Sequence, residues 1–218
     1  AYNDFERDIF GYDKVKYQTQ YYRTAYISEL DSRLENADST DLETVRRGIP
    51  VLWDRFDIRP YEGRLEDIRY GTFDTTLRAD IREWLTYAED TLGTIGTGAT
   101  LAADRILTDY RNKYGREALL ELRRDNWNNF LESLVINSAS DELYTVIDGT
   151  IVPRVGQVWL DPPSHNGRAP FYSSTKIVGN LKISTLAYNT GILVLMCLCA
   201  GLLLFLDIPG RFLRKRGN

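Results

Sequence analysis

With 218 residues, 43% hydrophobic and 27% charged, the chain has room for one soluble domain of ordinary size plus a membrane anchor. Its net charge of −4, more acidic still once the basic C-terminal tail is set aside, argues against a nucleic-acid surface. The single histidine, His165, removes almost every zinc site and most imidazole-based mechanisms, and Cys197 and Cys199 both fall in an apolar run, so the soluble part has neither disulfide nor thiolate chemistry.

Tyr22, Tyr26, Leu30 and Leu34 fall four apart, which predicts one long amphipathic helix from about Asp4 to Glu35, interrupted at Gly11. This helix is rich in tyrosine (Tyr2, Tyr12, Tyr17, Tyr21, Tyr22, Tyr26), a residue with an apolar ring and a wet tip. The stripe is expected to pack into the domain's own core, with a membrane interface or a partner helix as the alternatives. Thr40 and Glu43 have capping-box spacing, predicting a second helix that ends near Gly48, before Pro50. Residues Ile49 to Phe73, with Pro50, Pro60, Gly63 and Gly71 among aromatics and arginines, read as an ordered connector. Leu77, Ile81, Trp84, Leu85, Ala88 and Leu92 then mark a helical stripe that Gly93 ends. Another helix is predicted from Ala99 to Tyr114 with Ala102, Ile106 and Tyr110 on one face, and a third after Gly115 carrying Leu120, Trp127, Phe130, Leu131 and Leu134.

The pattern changes after Ser140. Tyr144 to Ile147 and Thr150 to Val152 are β-branched runs around Asp148-Gly149, a strong hairpin signal. From Pro153 to Ser184 the chain is rich in proline, glycine and polar residues and reads as an extended stalk, with Arg168, Phe171 and Tyr172 as its candidate partner contacts. Thr190 to Leu206 carries no charge, with Leu198 at its middle, and adding Leu186 to Asn189 gives 21 residues. Such a helix is about 31 Å long, the thickness of a bilayer's hydrocarbon core. Ten Leu, Ile, Val or Phe between Ile192 and Leu206 favour insertion by roughly 3 to 6 kcal/mol. Arg211, Arg214, Lys215 and Arg216 follow the span, against Lys176 and Lys182 before it, which predicts a cytoplasmic C-terminus and a soluble domain outside the cytoplasm. The chain opens on Ala1 rather than Met, so a preceding signal peptide or transmembrane helix is expected. The expected fold is mainly α: a helical extracytoplasmic domain (1–140), a small β-hairpin and stalk (141–185), one transmembrane helix (186–207) and a basic tail (208–218).

Candidate chemistry is sparse. Gly93-Thr94-Ile95-Gly96-Thr97-Gly98 ahead of a helix has the glycines of a phosphate cradle but not the Gly-Lys-Ser/Thr ending of a P-loop, and reads as a tight turn between antiparallel helices. Asp161, His165 and Arg168 gather an acid, an imidazole and a guanidinium in one loop, with nothing to set their geometry. Glu83 near Tyr87, and Glu117 and Glu121 with Arg124, read as solvated helix faces. Asp207 sits where the hydrocarbon ends and reads as a boundary residue. No metal-ligand spacing and no Gly-x-Ser-x-Gly elbow occurs, so no catalytic, cofactor or metal residue is assigned.

From Tyr110 to Leu134 (YRNKYGREALLELRRDNWNNFLESL), through Asp148-Gly149 and Asp161-Pro162, to Gly167–Asn189 (GRAPFYSSTKIVGNLKISTLAYN) and the closing Arg-Phe-Leu-Arg-Lys, the second half of the chain resembles the C-terminal part of large ABC transporter proteins of the kind found in Bacteroidetes. In these proteins a nucleotide-binding domain and an ABC-2-like membrane domain share one polypeptide. The resemblance implies a soluble region between the last two membrane helices, on the far side from the ATPase, and a role in export or in moving envelope material. This chain has no Walker motif and no second span, so the resemblance assigns ATP hydrolysis to none of its residues. The expectation is a non-catalytic domain of an inner-membrane transporter, a substrate gate or a docking surface for periplasmic partners, in contact with lipid and with other transmembrane helices. A free-standing single-pass protein whose helical domain binds an envelope complex is the alternative, and a hydrolase acting through Asp161 or His165 a third.

Overall fold

The computed structural model describes residues 2–205 apart from Trp127, Ser138, Gln157, Pro163 and residues 170–172. Leu206, Asp207, Arg211, Arg214, Lys215 and Arg216, together with Trp127, Phe171 and Tyr172, lie outside the described residues. The fold is mainly α, with two small antiparallel strand pairs and a C-terminal apolar helix. It divides into two compact units, residues 1–160 and 161–218.

The first unit begins with α1 (Tyr2–Tyr21), which runs through a π-helical turn (Tyr22–Tyr26) into α2 (Ile27–Asn36). Gly11 lies within α1; the irregularity falls instead at the π turn, where the Ile27 N–H reaches the Tyr22 carbonyl. The spacing of the buried side chains accounts for it. Tyr22, Tyr26, Leu30 and Leu34 are all buried, yet residues four apart drift around an α-helix by about 40° per step, and one wider turn takes up that drift. The last three tyrosines of the stripe are core: Tyr21 and Tyr26 pack on Tyr22, Tyr22 packs on Phe56, and the Tyr26 hydroxyl donates to the Gly48 carbonyl at 3.2 Å, whereas Tyr12 is exposed.

Ala37, in the left-handed region, closes α2, and the Asp38 carboxylate caps α3 (Ser39–Phe56) by accepting the Asp41 N–H at 2.7 Å. The cap is thus two residues earlier than Thr40, whose carbonyl instead accepts the Thr44 hydroxyl. α3 also passes through Pro50 rather than ending before it. An interior proline costs about 3 kcal/mol. Stopping at Gly48 would withdraw Ile49 and Leu52, both fully buried, and the Trp53 and Phe56 side chains packed on the core, each worth about 1.5 to 3 kcal/mol. Burial decides the outcome.

After a connector with a short 3₁₀ turn (Leu65–Asp67), the Asp74 carboxylate caps α4 (Thr75–Tyr114), a single 40-residue helix. Gly93, Gly96 and Gly98, expected to form a turn, are inside it. The reason is packing against α1. Ile81, Trp84, Leu85, Ala88, Leu92, Ala99 and Ala103 form one buried stripe that stays in phase across the glycines. A Cβ at Gly96 would lie 2.6 Å from the buried Thr19 hydroxyl, so the two helices approach closely here. The expected third helix is two, α5 (Arg116–Asn126) and α6 (Asn129–Ile136), the second capped by Asn128.

Strands β1 (Tyr144–Ile147) and β2 (Thr150–Pro153) pair as the Asp148-Gly149 signal predicts, and both turn residues take the positive φ that such a two-residue turn requires. Ile151 enters the core, the Tyr144 hydroxyl donates to Glu29 at 2.6 Å, and Arg47 donates to the Asp148 carbonyl at 2.9 Å. Glu29 in turn pairs with Arg33, which also holds Asp41. The hairpin is therefore pinned to α2 and α3 by a half-buried charged network.

In the second unit the chain does not descend as an extended stalk. Strands β3 (Thr175–Val178) and β4 (Leu181–Ser184) form another hairpin, turned by Gly179-Asn180, with the 165–167 loop alongside β3. α7 (Thr185–Phe205) follows β4 without a linker.

Candidate functional site

Three places bring chemistry-bearing side chains together. The first is the junction of β4 and α7. Thr185, the first residue of α7, donates its N–H to the Ser174 carbonyl at 3.0 Å and its hydroxyl to the buried Ser173 carbonyl at 2.6 Å. One turn later the Tyr188 ring carries the Lys176 ammonium 4.6 Å from its centroid, and its hydroxyl lies so near Gly167, at φ +81°, that a Cβ there would be 2.5 Å away. Strand, loop and helix are joined on three sides. Beyond Tyr188 every described residue of α7 is exposed, Thr190 and Leu198 included, and this is the one helix among the described residues long and apolar enough to cross a membrane. A core helix of the same composition would be covered; this one is not.

The loop residues picked from the sequence take separate partners. Asp161, largely buried, forms an ion pair with Lys182 at 2.7 Å; His165 Nδ1 donates to the Gly179 carbonyl at 3.0 Å; the Arg168 N–H is held by the Asn166 side chain. The first two of these bonds brace the second hairpin, and the third stays within the loop. Among the described residues no group of three or more His, Cys, Asp or Glu side chains could hold a metal ion.

The second place is a groove of about 420 Å³ between α1 and α4, lined by Lys16, Thr19, Arg23, Gly93, Gly96 and Thr100 among others. Its hydroxyls are engaged inside their own helices: Thr19 with Val15, Thr97 with Gly93, Thr100 with Gly96. Arg23 is paired with Glu89 at 3.4 Å. The groove follows from close packing at the glycines, which here offer no helix N-terminus to a phosphate.

The third place is a cleft of about 430 Å³ between the connector and α4. One wall is Asp80, Glu83, Trp84 and Tyr87, which share a face of α4 because they stand three, four and seven residues apart from Asp80. The other is Arg59 to Gly63. Trp84, buried, is oriented by donating its indole N–H to the Arg59 carbonyl at 3.0 Å and by edge-to-face contacts with Trp53 and Tyr61. The Tyr61 ring folds back over Gly63, where any side chain would collide with it. Burial raises the Tyr61 phenol above its ordinary pKa, and the carboxylates of Asp80 and Asp67 raise it further. The Arg59 guanidinium lies over the Tyr87 ring, 4.9 Å from its centroid, and makes only a long contact of 4.0 Å with Glu62. The sequence showed Glu83 and Tyr87 as a solvated face; the α4 spacing was visible there, but the opposing wall was not.

Comparison with protein-family models, with curated proteins and with solved structures finds no match to the chain.

Proposed function

We propose that this chain is a non-catalytic, extracytoplasmic and membrane-spanning part of an ABC-type envelope transporter. In this reading α7 crosses the inner membrane among lipid and other transmembrane helices, the C-terminus is cytoplasmic, and the domains before the span are periplasmic, serving as substrate gate or partner-docking surface. The β4–α7 junction carries the reading. A passive anchor needs no more than a flexible tether, whereas α7 here continues β4 directly, is bonded through Thr185 to the Ser173 and Ser174 carbonyls just before β3, and sets the Tyr188 ring against Lys176 of β3 and close to Gly167. Movement of α7 therefore passes into the hairpin at once. ATP hydrolysis, in this reading, belongs to another part of the machine.

The test is the full chain extracted from membranes in mild detergent. A complex that hydrolyses ATP, with an activity that Thr185→Val alters while the complex stays assembled, supports the proposal. A chain that elutes alone and without ATPase activity overturns it and leaves a single-pass interaction module. A cysteine placed at exposed Glu132, labelled in intact spheroplasts by an impermeant maleimide, reports the side on which the helical domain lies.

A further inference from the structure

We propose that the cleft between Arg59–Gly63 and α4 binds a small organic cation bearing a guanidinium or ammonium group. Four observations converge on this chemistry, and none depends on the transporter reading. The cleft has aromatic surfaces from Tyr61 and Tyr87, whose ring faces attract cations, over the buried Trp84. Its carboxylates, Glu62, Asp80 and Glu83, outnumber its one cation, Arg59, and can only accept hydrogen bonds. The carboxylates of Asp80 and Glu83 form no ion pair or hydrogen bond among the described residues, so a ligand's donors would meet free acceptors. Finally, the chain's own guanidinium already lies on Tyr87, in the geometry of cation–π recognition.

Arg59 reads as a resident stand-in for the ligand. Its side chain is 61% exposed and its contact with Glu62 is long, so it can swing into solvent and leave Tyr87 uncovered. The cleft is also built before any ligand arrives: Trp84 is locked by its bond to the Arg59 carbonyl, which any residue at that position retains, and Gly63 admits the Tyr61 ring. Its volume of about 430 Å³ lies in the range of small-molecule sites.

The experiment is calorimetric titration of the full chain, in nanodiscs of zwitterionic lipid, with agmatine as the guanidinium probe, butylurea as a neutral control and maltose as a sugar control. Agmatine should saturate one site, weakening as salt rises, while butylurea and maltose give no saturable heat. Glu83→Gln should weaken agmatine by about three- to tenfold, as loss of one facing charge does. Tyr87→Leu should weaken it by a comparable factor, and Glu117→Gln on α5 should leave it unchanged. Arg59→Ala should tighten it several-fold, because the resident cation no longer competes; a purely structural arginine predicts no gain. The proposal is overturned if neither the wild type nor folded Arg59→Ala saturates with agmatine, or if butylurea or maltose binds as well as agmatine does.

Discussion

Replacing Gly96 and Gly98 by alanine, one at a time, distinguishes a continuous helix from a turn. Both lie inside α4, where exchanging glycine for alanine favours the helix by about 1 kcal/mol. Nothing lies within 4 Å of a Cβ added at Gly98. Gly98→Ala should therefore show that gain in full, raising the melting temperature by about 2 to 4 °C for a unit of this size. At Gly96 the new methyl would sit 2.6 Å from Thr19 Oγ1 and 3.4 Å from its Cβ. Thr19 has little freedom to yield, since it is 2% exposed and its hydroxyl donates to the Val15 and Lys16 carbonyls at 2.9 and 3.0 Å. α1 must then move off α4, at an overpacking cost of about 1 to 3 kcal/mol, which outweighs the helix gain and leaves a net loss of up to about 2 kcal/mol. Thr19→Ala removes the obstructing oxygen, so in a double-mutant cycle the pair should couple favourably by about 1 to 2 kcal/mol. Thermal unfolding of the full chain in nanodiscs, followed by far-ultraviolet circular dichroism, reads all five proteins. If Gly96→Ala stabilised as much as Gly98→Ala, the close approach of α1 and α4 would be wrong. If Gly98→Ala destabilised, as it would at a left-handed turn glycine, the helix itself would be wrong.

Tyr144→Phe removes a 2.6 Å bond to Glu29 and should cost roughly 1.5 to 3 kcal/mol, as hydrogen bonds to charged groups do. Burial first, and then the Glu29 carboxylate, push the Tyr144 phenol up to about 12 from an unfolded value of 10.0. Its contribution is thus present below pH 10 and lost as pH rises toward 12, so wild type and Tyr144→Phe should converge in denaturant titrations across that window. Gly156→Ala places a methyl on the Tyr17 ring at a φ of +66°, and should cost more than 1 kcal/mol by strain and overpacking; because Tyr17 stacks on Trp159, the near-ultraviolet dichroism should change as well. Thr185→Val breaks the bond to the buried Ser173 carbonyl, so hydrogen exchange of the β3 and β4 amides should accelerate while that of α4 does not.

What could be read from the sequence depended on whether the deciding contacts were local. The Asp148-Gly149 hairpin was legible because both turn residues had to take positive φ, a demand met by the residues themselves. The second hairpin has an equivalent signal in Gly179-Asn180, but its four-residue strands carry Lys176 and Lys182 and stand among prolines and glycines, which hid the alternation. α3 and α4 were cut short for a different reason. Pro50 and the Gly93–Gly98 run weaken a helix locally, and only burial of Ile49 and Leu52, or the approach of Thr19 to Gly96, reverses that preference. For α4 a corrective signal existed: the buried positions 88, 92, 99 and 103, with the bare Gly96 between, keep helical phase across the glycines, which two helices meeting at a turn have no reason to do.

The same distinction explains why the apolar helix was visible from the sequence and the cleft was not. Length and apolarity are properties of consecutive residues, and among the described residues α7 is the one helix long and apolar enough to cross a membrane. A cleft needs two walls. Asp80, Glu83 and Tyr87 alone are a wet helix face, on which acids and a tyrosine carry no message; they become a cation-selective surface when Arg59 to Gly63, some twenty residues earlier, folds back across them. That return is set by Trp84, whose ring is buried against Trp53 while its N–H reaches out to the Arg59 carbonyl. A buried indole satisfies its donor wherever an acceptor is near, and here the acceptor belongs to the residue whose guanidinium occupies Tyr87. One core tryptophan thus ties the backbone of the connector wall to α4 and holds the two sides of the cleft together.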